Sequence, residues 1–258
     1  MFERQKNKME PRVLRPEERL IVAVDLTIPP TEASPYRWLE KEILNFADSV
    51  ADTGIYLKLN SALRALGYGI IFQLKSRGLK TFADLKLYDI PQTLSLDGQL
   101  LQEAAPELVT TVCAAGSESV RMLKTHLKDS EVLGVTVLTN LDDIETGILY
   151  SCPVRTGVMR FAEVANQSGI DGLICSPAEV EMLRRQFGLR FSLNTPAIRP
   201  RWTIIKGDDQ NKNRSMTPAE AISAGATRIV VGRPILTAQN PREAVLRTIE
   251  EIDLGTRP

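Results

Sequence analysis

Eight short, β-rich apolar runs alternate along this chain with longer amphipathic segments, and that rhythm restricts the fold more than any other feature. The runs lie at 20–25, 55–59, 80–84, 108–113, 132–138, 172–175, 190–193 and 228–231. Helical patterns lie between them at 36–52, 61–77, 94–104, 117–127, 155–167, 177–187 and 218–224, and a last one at 241–252 closes the chain. Ser176-Pro177, Thr217-Pro218 and Asn240-Pro241 place proline in a first helical turn. Gly54, Gly78, Gly169, Gly188 and Gly225 fall where C-terminal caps belong. Repeated strand–helix units without a break in composition predict a single (β/α)8 TIM barrel with a parallel eight-stranded core over residues 19–258, preceded by a tail at 1–18. A doubly wound sheet is the structural alternative, but no G-x-G-x-x-G follows the first run.

In such a barrel the chemistry belongs at the C-terminal ends of the strands. The polar residues that gather there are Asp25, Lys58, Asp84, Lys86, Thr139, Pro196, Arg199, Gly232 and Arg233. The densest group is the stretch from Phe82 to Thr93, where Asp84, Lys86 and Asp89 crowd one strand end. Alternation sends Asp84 and Lys86 to one face and Leu85 and Leu87 to the other. Taken alone, the stretch reads as readily as a structural ion-pair cluster or solvated turn as it does as a functional site. With Lys58 it forms alternating ammonium and carboxylate groups that keep one another ionised. That array suits a reaction in which negative charge forms beside an ammonium while a carboxylate crowds a leaving anion. Gly232-Arg233, with Gln210 and Arg199 in the preceding loop, forms a second group suited to phosphate. The polar loop at 204–215 is long enough to act as a lid.

Composition closes off several other classes. Lys+Arg and Asp+Glu balance at 32 each, so no basic field argues for nucleic acid or an anionic membrane. The three cysteines have no C-x-x-C spacing, and Cys113 and Cys175 read as buried small hydrophobes. The single histidine, His126, reads as a helix-surface residue, which leaves no histidine-based triad or metal cluster. The N-terminus has no apolar core of a signal peptide and no run approaches a membrane span, so a soluble, cytoplasmic protein is expected.

The stretch Asp84-Leu85-Lys86-Leu87-Tyr88-Asp89-Ile90-Pro91-Gln92-Thr93 resembles the signature of the orotidine 5′-monophosphate decarboxylases of bacterial type. Further similar stretches are Ile21-Val22-Ala23-Val24-Asp25, Tyr56-Leu57-Lys58-Leu59, Thr195-Pro196-Ala197-Ile198-Arg199-Pro200 and Val230-Val231-Gly232-Arg233-Pro234. The resemblance implies decarboxylation of orotidine 5′-monophosphate to UMP and CO2, the last step of de novo UMP synthesis, with no metal or other cofactor. It assigns Asp25 and Lys58 to the ribose hydroxyls and the charge network, and Asp84 to the departing carboxylate. Lys86 then protonates the carbon that loses CO2, and Asp89 reaches the neighbouring site of a homodimer. Thr93 helps hold the nucleotide, with Ile90 of the same stretch among the binding residues. Thr139 and Pro196 border the pyrimidine, while Arg199, Gln210, Gly232 and Arg233 lie at or near the phosphate.

The chain also departs from that pattern. Ala197 and Asn60 stand where glycine is usual, Cys113 stands where bacterial members often have histidine, and the Gln210 loop is longer than the common spacing. If position 197 needs positive φ, alanine there costs about 1 kcal/mol or more. Asn60 is expected to tolerate a left-handed backbone. Two other readings stay open. One is a metal-dependent sugar-phosphate enzyme sharing the D-x-K-x-x-D strand end, such as a 3-keto-L-gulonate-6-phosphate decarboxylase or a hexulose-phosphate synthase. The other is a silent barrel that binds a nucleotide for regulation.

Overall fold

The computed structural model describes residues 14–203 and 216–256. Its strands are β1 (Leu20–Ala23), β2 (Tyr56–Leu59), β3 (Lys80–Leu87), β4 (Leu108–Val112), β5 (Glu131–Val135), β6 (Gly172–Ile174), β7 (Ser192–Thr195) and β8 (Arg228–Val231). They close into a barrel in sequence order, every pair parallel, with β1 joined to β8. The expected (β/α)8 architecture is therefore the one observed.

Strand alternation divides the apolar residues into two layers. Ile21, Ala23, Tyr56, Phe82, Leu108, Leu133 and Val230 fill the barrel interior. Their strand neighbours Leu20, Val22, Leu57, Leu59, Ala83 and Val109 point outward and pack with helix residues such as Ile43, Leu74 and Leu101. Full burial of each large side chain contributes about 1.5–3 kcal/mol, so this outer layer supplies most of the cohesion.

The helices are α1 (Pro35–Ser49), α2 (Ser61–Leu66), α3 (Gly69–Lys75), α4 (Pro91–Ala104), α5 (Ser117–His126), α6 (Asp143–Tyr150), α7 (Val154–Ser168), α8 (Val180–Phe187), α9 (Pro218–Ser223), α10 (Arg233–Leu236) and α11 (Pro241–Thr256). The helix expected over 61–77 is in fact two. Gly67 caps α2 with φ of 71°, a left-handed conformation that glycine adopts freely, and the chain restarts as α3. Helix α6 was not anticipated. Asp142 accepts hydrogen bonds from the amides of Ile144 and Glu145, and Glu145 reaches back to the Asp142 amide, so a capping box starts it.

Several strand limits also move. Strand β5 stops at Val135, leaving Val137 and Leu138 in the following loop. Strand β7 runs later than expected because Arg190 belongs to the turn after α8, where its amide donates to the Phe187 carbonyl. Pro16–Arg19 forms a short 3-10 turn beneath the barrel, and buried Glu18 accepts from Lys80 Nζ at 2.6 Å.

Cys113, Cys152 and Cys175 are all buried, and burial pushes the thiols of Cys113 and Cys175 up to about 12. Gly134 leaves the space that Cys113 uses, since a Cβ there would lie 2.5 Å from the Cys113 sulfur. His126 is not a free surface residue. It is half-buried at the end of α5 with its Nε2 2.9 Å from Ser95 Oγ on α4. Asn60 is not left-handed either, for its φ is −115° as it precedes α2.

Candidate active site

The interior alternation that fills the barrel also raises the charges at its mouth. Lys58 follows Tyr56 on the inward face of β2, and Asp84 follows Phe82 on that of β3. Both are buried, at 8% and 6% exposure. Lys58 Nζ lies 3.1 Å from Asp84 Oδ2 and 3.4 Å from Asp25 Oδ2. Lys86 Nζ meets both Asp84 oxygens at 2.8 Å. Asn60 Nδ2 approaches Asp84 Oδ2 at 3.5 Å. Burial pushes the Asp84 carboxyl up, but the Lys58 and Lys86 ammonium groups outweigh it and hold that carboxyl below the usual aspartate range.

Lys86 reaches Asp84 from an irregular backbone. The pairing of β3 with β4 shifts between Ala83 and Leu87, and Lys86 takes φ of 50° inside that bulge. The same-face placement expected from alternation is met, yet through a left-handed residue rather than a regular strand. Thr110, buried on β4, sits opposite. Its hydroxyl is 2.9 Å from Asp84 Oδ1 and 2.9 Å from the Lys86 amide. Sequence reasoning passed over it, because a threonine in a β-rich run looks like an ordinary strand former.

These groups open onto a cavity of about 490 Å³. Its floor and walls are apolar, with Ala23, Phe82, Val135, Val137, Ile174 and Val230. Asp25, Lys58, Asp84, Lys86, Thr139, Pro196, Arg199, Gly232 and Arg233 all line it, so most of the residues singled out in the sequence meet in one place. Ala197 lines it too, with φ of 63°, the strained conformation feared for a position where glycine is usual. Neither Arg199 nor Arg233 forms an ion pair among the described residues. Arg199 makes only a 3.5 Å contact to the Ile198 carbonyl through its guanidinium.

Three expected residues lie elsewhere within the chain. Asp89 and Ile90 are exposed and border a neighbouring groove with Ala114–Ser119, and Asp89 Oδ1 accepts from the Ile90 amide at 2.7 Å. Thr93 is half-buried in the first turn of α4, outside the cavity lining. Gln210 and the lid expected at 204–215 lie outside the described residues. Among the described residues, no group of three or more His, Cys, Asp or Glu side chains could hold a metal ion.

A barrel of this kind serves many reactions, so relatives bear on which one. The orotidine 5′-phosphate decarboxylase / HUMPS family model matches residues 18–248. The chain belongs to this family. An orotidine 5′-phosphate decarboxylase of Actinobacillus succinogenes is 34% identical over 240 residues, covering 90% of this chain and 97% of the relative. One of Staphylococcus aureus is 36% identical over 212 residues, covering 79% of this chain and 90% of the relative. The crystal structure of the orotidine 5′-phosphate decarboxylase from Lactobacillus acidophilus superposes with a TM-score of 0.74 at 29% identity, covering 92% of this chain and 99% of that one. Family membership narrows the reaction, and the geometry of the site bears on which one it is.

Proposed function

We propose that this protein decarboxylates orotidine 5′-monophosphate to UMP and CO2, the last step of de novo UMP synthesis, without metal or organic cofactor. The observation that carries the reading is the Lys58–Asp84–Lys86 array at the end of an apolar cavity whose rim holds two guanidinium groups with no ion pair among the described residues. A flat pyrimidine fits the apolar walls, and a phosphate fits Arg199 and Arg233. Among the described residues, a Cβ at Gly232 would meet Ala23 alone, at 3.5 Å, an ordinary contact distance that suits close approach of a ligand oxygen to the backbone.

The chemistry follows from the charges. Loss of CO2 leaves an electron pair on a ring carbon with no ordinary electron sink, so fixed charge and a placed proton are the means of catalysis. Asp84, already saturated by two ammonium groups and held ionised, crowds a substrate carboxylate and favours its departure. Lys86 donates its proton to the carbon as the C–C bond breaks. Lys58 keeps Asp84 ionised and, with Asp25, meets the ribose hydroxyls. Thr139 and Pro196 border the pyrimidine, and Gln210, Ile90 and Thr93 complete nucleotide binding. Energy from the distant phosphate is spent on assembling this array, so it raises turnover and not affinity alone.

A metal-dependent sugar-phosphate reaction fits less well. The Lys58 ammonium stands between Asp25 and Asp84, where a divalent cation bridging those carboxylates would have to sit. A silent nucleotide-binding barrel has no need for a buried Lys58 beside a buried Asp84, which cost desolvation energy.

The homodimer belongs to the same proposal. Tyr88, Ile90, Leu96 and Leu100 are half or more exposed around Asp89 and along α4, an apolar patch a second copy would cover. Covering it brings Asp89 towards the neighbouring cavity. A soluble, cytoplasmic location goes with this role, and among the described residues no helix is long and apolar enough to cross a membrane. No nucleic-acid partner is part of the reading.

Incubation of the purified protein with orotidine 5′-monophosphate in EDTA tests it. UMP and CO2 appearing in equal amounts is the expected result. Activity that requires added magnesium, or turnover of a hexulose phosphate in place of the nucleotide, would replace this reading with the sugar-phosphate one.

A further inference from the structure

Thr110 stands at the one position of β4 that faces the bulge of β3. Ala83 pairs with Val109 and Leu87 pairs with Thr111, so β3 carries two more residues across the gap than β4 does. The bulge takes the Lys86 amide out of the regular ladder, and that amide donates instead to Thr110 Oγ1 at 2.9 Å. The roles of the hydroxyl are then forced. The amide can only donate and an ionised Asp84 can only accept, so Thr110 accepts from Lys86 and donates to Asp84 Oδ1, also at 2.9 Å. Lys86 Nζ returns to Asp84 at 2.8 Å and closes a ring through main chain and side chain. Directly above, Thr111 Oγ1 donates to the Leu87 carbonyl at 2.9 Å and pins the far end of the bulge.

Lysine seldom adopts a left-handed backbone, and here it does so at φ of 50° on the residue whose ammonium faces the cavity. A strained conformation persists only where its surroundings fix it. We propose that Thr110 is a positioning residue for the decarboxylation: its hydroxyl holds the β3 bulge in the one conformation that aims the Lys86 ammonium across Asp84. Thr110 is not among the residues lining the cavity and acts through Lys86 and Asp84. Its removal therefore lowers the rate of the chemical step and leaves nucleotide binding, built from other residues, nearly intact. This inference rests on the decarboxylase reading above.

Thr110→Val keeps the shape and removes the hydroxyl, while Thr110→Ser keeps the hydroxyl and removes a methyl group. The expected kcat of Thr110→Val is about 10- to 100-fold below wild type, with KM for orotidine 5′-monophosphate changed less than about threefold. Thr110→Ser should return to within about threefold of wild-type kcat. Should the valine variant fail to fold, Thr110→Ala removes the same hydroxyl without adding bulk. Wild-type turnover with an unchanged valine or alanine variant overturns the role of Thr110 alone, as do equal losses in the valine and serine variants. Crystal structures give a readout that needs no activity: Lys86 should leave its left-handed conformation in Thr110→Val and keep it in Thr110→Ser. A Lys86 backbone unchanged in the valine variant contradicts the proposal, even in a protein that proved not to turn over this nucleotide.

Discussion

Lys58 and Asp84 face each other from neighbouring strands at 3.1 Å, both buried, with the Lys86 ammonium on the same carboxylate and Asp25 on the same lysine. Each charge has an opposite neighbour, so the group is stable only as a whole. Any substitution in it changes the orientation of the rest.

The first consequence is a dependence on acid. Asp84 has a folded pKa below its ordinary 3.8. Its contribution to stability is therefore present above that ordinary value and is lost as the pH falls through the lowered one. Urea unfolding at a series of pH values should find Asp84→Asn less stable than wild type near pH 7, the gap closing below about pH 4. A gap that stays constant down to pH 2 would contradict the assigned charge state.

The second concerns the opposite end of the barrel. Arg228 is 2% exposed and binds Glu131 through two bonds, Nη2 to Oε1 at 2.6 Å and Nη1 to Oε2 at 3.0 Å. Both residues begin their strands, away from the cavity. Glu131→Ala strands a buried guanidinium, and the expected loss is about 3 kcal/mol, the low end for a buried pair because Glu131 keeps some access to water. Melting should fall by about 6–12 °C while kcat/KM of the folded protein is unchanged. A loss of activity without a loss of stability would overturn this division between the two ends.

Ala197 gives a test in the stabilising direction. An L-residue in the left-handed region costs roughly 1–2 kcal/mol, and glycine there returns about 0.4–1 kcal/mol through the greater freedom of the unfolded chain. Ala197→Gly should therefore be neutral to about 1.6 kcal/mol more stable by calorimetry. A clear destabilisation would mean that contacts of the Ala197 methyl group outweigh the strain.

Arg233 and Arg199 test the proposed phosphate contact at the cavity rim. Replacing either by alanine should lower kcat/KM for the nucleotide about 10- to 100-fold, with kcat falling as well as KM rising. Steady-state kinetics with the nucleotide and with its dephosphorylated nucleoside check the assignment. The two variants should differ from wild type on the nucleotide and match it on the nucleoside.

The barrel and most of the mouth were legible in the sequence because both obey period two. Tyr56 and Phe82 fill the interior, and counting two residues onward reaches Lys58 and Asp84. Chain order supplied the rest of the lining, from Asp25 to Arg233. The bulge was not legible, since it arises from how β3 meets β4 rather than from either strand alone. That is why the left-handed Lys86 and the hydroxyl of Thr110 escaped notice. Helix α6 did carry a signal, the Asp142–Glu145 box, but it is short and sits inside what reads as a loop. Asp89 is conspicuous in sequence beside Lys86, yet in the fold it is exposed and accepts a hydrogen bond from the Ile90 amide.

The most direct test of the account is Lys86→Ala, assayed for conversion of orotidine 5′-monophosphate beside a binding measurement with UMP. Turnover should fall by several orders of magnitude, roughly 10³-fold or more, while UMP binding changes less than about tenfold. A Lys86→Ala protein that decarboxylates the nucleotide at close to the wild-type rate would contradict it.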